Sequence, residues 1–115
     1  MNIREEREYI KYILKAMTER ELLEQLAEEA SELAQAALKL IRAAELSNNP
    51  TPNTKENAAN NLVEEYYDVC NLWYLLCQKN DDISDRADRY FIGGLEFNKL
   101  KRWARRLGYE EYSKS

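Results

Sequence analysis

Leu26-Ala27-Glu28-Glu29-Ala30-Ser31-Glu32-Leu33 and Leu62-Val63-Glu64-Glu65-Tyr66-Tyr67-Asp68-Val69 are two copies of one pattern, the second starting 36 residues after the first. Each copy holds an adjacent Glu pair, a third carboxylate three positions after the second Glu, and apolar residues at both ends. Positions i and i+3 are neighbours on one face of a helix. Each copy therefore predicts a helix that points two carboxylates the same way. Two such helices packed face to face bring four acids together. Four carboxylates share a small volume only with cations between them. An oxygen-only donor set favours hard cations, Mg²⁺ or Mn²⁺ above all.

The rest of the chain agrees with a helical reading. It has 115 residues, the length of one domain, with only 3 Gly and 2 Pro. Ala, Leu, Glu, Lys, Arg and Gln dominate, which are helix formers, and no run alternates in the manner of a strand. Apolar periodicity places helices over about residues 3–17, 19–46, 55–79 and 83–107. Thr18 with Glu21 three residues on reads as a capping box. Residues 47–54, with two Pro and several Asn, read as a linker, and Thr54 or Asn53 as the cap of the third helix. Asn80-Asp81-Asp82 breaks the third helix, with Asp82 or Ser84 as the next cap. Gly93-Gly94 kinks or splits the last segment, Gly108 ends it, and residues 109–115 form a loose tail. The expectation is an all-α bundle of four or five helices in a single domain spanning 1–115. A core this small gains from oligomerisation.

Composition removes several classes of function. Acids outnumber bases by 21 to 17, and the net charge of −4 argues against a nucleic-acid polymer as partner. The bases cluster late, from Lys99 to Arg106, where a local anion site is conceivable. There is no His. That rules out di-iron bundles built on Glu-x-x-His and nucleophile–His catalysis. The chain also lacks the Asp-rich loop of an EF-hand. Cys70 and Cys77, seven apart on an apolar face, are too few for zinc and read as buried free thiols. The polar start of the chain does not resemble a signal peptide. No stretch approaches the ~18 apolar residues of a membrane span. A cytoplasmic, reducing compartment is expected, with no membrane partner.

Helical geometry at about 100° per residue refines the placement of the acids. With Leu26 at zero, Ala30, Leu33 and Ala37 form the apolar stripe, Glu29 lies roughly 60° to one side and Glu32 roughly 120°. With Leu62 at zero, Tyr66, Val69 and Trp73 form the stripe, and Glu65 and Asp68 lie at matching angles. Glu28 points to the far side. The bland alternative is an ordinary solvated flank. Such a flank usually supplies Lys or Arg at i+4. Here the positions four after Glu29, Glu32, Glu65 and Asp68 are Leu33, Ala36, Val69 and Leu72.

Glu28-Glu29-x-x-Glu32 followed by Glu65-x-x-Asp68 resembles the signature of the MazG-like, all-α nucleoside triphosphate pyrophosphohydrolases. That superfamily includes dimeric dUTPases and dCTP pyrophosphatases. The resemblance is strongest over residues 22–76. It implies Mg²⁺-dependent hydrolysis of a nucleoside or deoxynucleoside triphosphate to monophosphate and pyrophosphate, in house-cleaning or nucleotide-pool control. It implies metal ligands at Glu29, Glu32, Glu65 and Asp68. Glu28 matches the first Glu of the motif, which gives it an outer-shell or water-activating role beside Glu29 and Glu32.

Around these acids the sequence offers further candidates. Lys99, Arg102 and Arg106 share a helical face, with Arg105 beside them, and are candidate phosphate clamps. Equally, they suit a helix C-terminus with no ligand at all. Asn71, three after Asp68, is either a base, sugar or water contact or a surface amide. Trp73 is either a wall for the base or a packing residue. Gly93-Gly94 interrupts the late helix relative to a minimal member of the family, and residues 3–17 carry none of its motifs. A homodimer or homotetramer is expected. The competing classes are a non-enzymatic helical partner-binding protein and a nucleotide sensor without turnover.

Overall fold

The computed structural model describes residues 2–44 and 54–110. Five α-helices and no strand occur among them: α1 (Ile3–Ala16), α2 (Glu19–Ala44), α3 (Lys55–Lys79), α4 (Asp81–Ile92) and α5 (Leu95–Arg106). The linker expected over 47–54 falls outside the described residues except for Thr54, as do the end of the second helix at 45–46 and most of the tail. The chain divides into two compact units, 1–80 and 81–115.

In the first unit α2 and α3 run antiparallel. The start of α2 meets the end of α3, where Asn80 Nδ2 donates to Glu19 Oε1. Helix α1 lies against α3 with their C-terminal ends together, the Lys79 ammonium donating to the Leu14 carbonyl. The local signals are legible in the caps. Thr18 Oγ1 accepts from the Glu21 amide at 3.1 Å, and Glu21 Oε1 accepts from the Thr18 amide at 2.9 Å, the reciprocal pair of a capping box. The bond from the Thr18 amide holds the Glu21 carboxyl below the usual carboxylate range. Thr54 Oγ1 accepts from the Asn57 amide and starts α3. Replacing Thr18 by Ala leaves the Glu21 amide to water and is expected to cost about 1 kcal/mol, read as a lower thermal midpoint.

The core is thin and sits almost wholly between α2 and α3. Leu22, Ala36, Ala58, Leu72, Leu75 and Leu76 are its buried members. Positions 22, 26, 29, 33, 36 and 40 on α2 recur 36 residues later as 58, 62, 65, 69, 72 and 76 on α3. All twelve are buried or half-buried. Their alternating steps of four and three are the heptad seam of packed helices.

This seam corrects the stripe read from the sequence. It is centred on the side of Glu29 and Glu65, so Ala30 is exposed, and Tyr66 and Trp73 are 53% and 46% exposed. Leu26 and Leu62 stand off the centre of the contact: the partner helix lies nearer the direction of Leu22 and Ala36 on α2, and of Leu72 and Leu76 on α3. For the same reason Cys70 and Cys77 are only half-buried. Cys70 sits on the outer flank of α3, hydrogen-bonded with the Tyr66 phenol, which pushes that phenol's pKa up.

The second unit is the hairpin of α4 and α5. The break before it is a single residue, Asn80, and α4 begins at Asp81 rather than at Ile83. Asp81 and Asp82 thus stand in the first helical turn, where carboxylates complement the dipole, and Asp82 pairs with Arg86. Gly93-Gly94 separates two helices. Gly94 adopts φ 68°, a left-handed conformation that favours glycine. Helix α5 ends in a Schellman motif: the Gly108 amide donates to Arg105 O and the Tyr109 amide to Ala104 O, each at 3.0 Å, with Gly108 at φ 104°. No helix among the described residues is long and apolar enough to cross a membrane.

Candidate metal centre

Glu29 and Glu65 occupy equivalent positions inside the seam of α2 and α3, where a coiled pair would ordinarily place Leu or Ala. One carboxylate oxygen from each of Glu29, Glu65 and Asp68 lies within 4.8 Å of the others, and all three side chains are half-buried. Glu29 Oε2 and Glu65 Oε2 are buried without a hydrogen-bond partner. Burying a polar oxygen unpaired is costly, and natural proteins rarely leave one so.

Gln25, a neutral amide that the pattern of acids and bases in the sequence does not single out, lies one turn back from Glu29 on α2. Its Nε2 donates to Glu29 Oε1 at 3.1 Å and fixes that carboxylate's rotamer. The i−4 spacing was the available signal.

Glu32 is exposed and stands outside the tight triad, yet beside it. The Glu29 charge raises its carboxyl pKa, helped by a hydrogen bond with Glu29 and by the more distant charges of Glu65 and Glu28. The Glu65 pKa is also raised, first by burial, then by the charges of Asp68 and Glu29, against a lowering hydrogen bond from Glu32. Glu28 is exposed and points away from the seam, in line with its helical angle. Asn71 is exposed one turn beyond Asp68 and opens into a groove between α1 and α3. Trp73 lies on the outer surface of α3. Lys99, Arg102, Arg105 and Arg106 all lie on α5, in the second unit, where the Lys99 ammonium sits 5.4 Å from the centre of the Tyr90 ring.

Oxygen donors alone, three of them converging and two with unpartnered buried atoms, fit a hard divalent cation. Two acids with raised pKa values also set a pH dependence. A carboxyl whose native pKa lies above its unfolded value binds more protons folded than unfolded, so its contribution to stability falls as pH rises through the native value. Without metal, Glu32 and Glu65 therefore favour the fold at about pH 5 relative to neutral pH. A divalent cation held by these acids would need them deprotonated, so any stabilisation it gave would run the other way. Thermal melts are expected to show a larger Mg²⁺-induced rise at about pH 7.5 than at about pH 5.

Comparison with protein-family models, curated proteins and solved structures finds no match to this chain.

Proposed function

We propose that the first unit binds Mg²⁺, with Mn²⁺ as a substitute, at Glu29, Glu32, Glu65 and Asp68. We further propose that it hydrolyses a nucleoside or deoxynucleoside triphosphate to monophosphate and pyrophosphate, as the MazG-like all-α pyrophosphohydrolases do. The observation that carries this reading is the pair of buried, unpartnered oxygens on Glu29 and Glu65, converging with Asp68. Held there, a divalent cation would supply charge neutralisation at phosphate oxygens and a lowered pKa for bound water.

The chain's own residues divide the remaining work. Glu29 and Glu65 are set by helix packing and Gln25, so the donors are positioned before ligand arrives. Glu32 reaches the same space from an exposed position. The negative charge around it raises its proton affinity, which suits it to accept a proton from attacking water. Glu28 lends negative charge from behind Glu32 rather than a ligand.

Pyrophosphate release from a panel of nucleoside and deoxynucleoside triphosphates with Mg²⁺ tests the reading, with Glu32→Gln and Asp68→Asn beside the wild type. Monophosphate and pyrophosphate as products, lost in both variants, are expected. No release with either Mg²⁺ or Mn²⁺ would refute it for the panel, and the absence of any metal-induced melting shift would refute the metal site as well.

Self-association as a homodimer or homotetramer belongs to the same proposal. Phe97, Leu100, Trp103 and Leu107 on and after α5 are exposed, as are Tyr66, Trp73 and Tyr74 on α3, far more apolar surface than a lone small domain needs to leave open. Sedimentation at micromolar concentration is expected to give a species larger than the 13.6 kDa chain; a stable monomer would overturn it.

A further inference from the structure

Helix α5 carries Lys99, Lys101, Arg102, Arg105 and Arg106 against a single acid, Glu96. At about 100° per residue, Leu100, Trp103 and Leu107 fall within roughly 60° of one another and form a stripe along the helix and its C-cap. All three are more than half exposed. Glu96 shares the angle of the stripe but stands in the first turn, where it complements the helix dipole. Lys99, Arg102 and Arg106 line one edge of the stripe. Lys101 and Ala104, the half-buried positions of α5, lie on its other side and mark the contact with α4. Helix α4 answers with Ile83, Ala87 and Tyr90, all half-buried, while Asp81, Asp82, Asp85 and Asp88 stand on its opposite, exposed face. The hairpin thus has an acidic outer side on α4 and an apolar side with a basic edge on α5.

We propose that α5 docks on an anionic phospholipid surface, lying in the plane of the interface with Leu100, Trp103 and Leu107 at the acyl boundary and Lys99, Arg102 and Arg106 at the headgroup phosphates. A basic amphipathic helix with Trp and Leu on its apolar face has the make-up of an interfacial helix. Trp103 sits where the apolar stripe meets the edge formed by Lys99 and Arg106, the level a tryptophan takes between acyl chains and headgroups. The long basic side chains reach from that edge to phosphate. Charge selects among the occupants. Pairing with α5 of a second copy would bring two strongly basic helices together, at a Coulomb cost. A nucleic-acid backbone would answer the bases and leave Leu100 and Leu107 in water. An anionic bilayer answers both at once, and Tyr66, Trp73 and Tyr74 on α3 remain for self-association. The expectation of no membrane partner rested on the absence of a span, which an interfacial helix does not need. The 12 residues of α5 extend about 18 Å, well short of a bilayer core, so the helix lies on the surface. Docking there needs nothing from the acidic centre.

Co-sedimentation of the full chain with vesicles of phosphatidylcholine containing about 30% phosphatidylserine, beside vesicles of phosphatidylcholine alone, reads the docking. Binding about tenfold or more stronger to the anionic vesicles, and weakened by salt, is expected. Arg102→Gln with Arg106→Gln is expected to weaken it about 30-fold, and Arg102→Lys with Arg106→Lys to keep it within about threefold. Trp103→Ser is expected to weaken it by about tenfold or more. All these positions are exposed, and circular dichroism checks that each variant stays helical. The chain has 2 Trp, so Trp73→Phe leaves Trp103 as the sole indole. Its emission is expected to shift to the blue when anionic vesicles are added. An emission maximum that stays in place, equal binding to both kinds of vesicle, or no binding to either overturns the proposal. Wild type that ignores vesicles but sediments as an oligomer, which Trp103→Ser converts to a monomer, overturns it as well and gives the face to a second copy.

Discussion

Glu65→Gln is expected to melt at a higher temperature than the wild type in metal-free buffer, to lose the rise that Mg²⁺ gives the wild type, and to lose activity. The three effects have one origin. Glu65 sits in the helix seam with a buried oxygen that no donor satisfies, and burial together with Asp68 and Glu29 raises its pKa. An amide keeps the shape, removes the charge and adds a donor for Glu29 or Asp68. The repulsion inside the seam falls, so the metal-free fold gains stability. Under the proposed reading the same change deletes an anionic ligand, and with it the linkage by which a bound cation would stabilise the native state. Loss of supporting groups around metals typically costs 10–100-fold, so loss of a direct ligand is expected to lower pyrophosphate release by about 100-fold or more. A gain in stability coupled to a loss of function is the signature of a site maintained against the preference of the fold. Differential scanning with and without Mg²⁺, beside a pyrophosphate assay, reads all three. A metal-free midpoint lower than wild type would show that Glu65 supports the structure instead, and the account of the seam would be wrong.

Leu76→Ala is the second large effect, and it concerns the fold alone. Leu76 is 2% exposed, Leu22 is 0% exposed, and both lie at the end of the antiparallel pair where α2 starts and α3 finishes. With so few fully buried residues, each carries a large share of the core. Truncating a buried Leu removes its transfer free energy and leaves a cavity, about 3 kcal/mol in the middle of the usual range. For a unit of this size that lowers the midpoint by roughly 15 °C. Urea unfolding is expected to show the same loss with an unchanged slope. Trp73→Ala provides the contrast. Trp73 is larger yet half exposed, so its truncation is expected to cost the isolated chain less than Leu76→Ala. If Trp73→Ala proves the more damaging of the two, the seam lies where the simple angular stripe put it.

The two comparisons mark what local and global information each decide. Helix identity, the capping box at Thr18, the cap at Thr54, the split at Gly93-Gly94 and the C-terminal Gly108 were all legible in the chain. Each depends on backbone donors and dihedral preferences within a few residues. The four candidate acids were legible too, because i and i+3 neighbours on a helix follow from its geometry whatever the partner. Their depth was not. Whether Glu29 stands at the edge of the core or inside it depends on where α3 approaches α2, and a rotation of the contact direction by a fraction of a turn moves Ala30, Tyr66 and Trp73 out and Glu29 and Glu65 in. The amphipathic pattern is too broad to set that rotation, since Leu22, Leu26, Leu33 and Ala37 are compatible with several directions. Packing chose one: the small residues Ala36 and Ala58 are buried in the seam, and Leu22, Leu72 and Leu76 fill its other end. The backward contact from Gln25 to Glu29, the approach of Glu32 to the Glu29 carboxyl and the groove made by α1 against α3 depend on side-chain directions that tertiary contacts settle. The sequence by itself determined that this protein is helical and that two of its helices carry matched acids. Only the tertiary structure decided that two of those acids lie buried and unpartnered between them, because burial is a property of the pair of helices and not of either one.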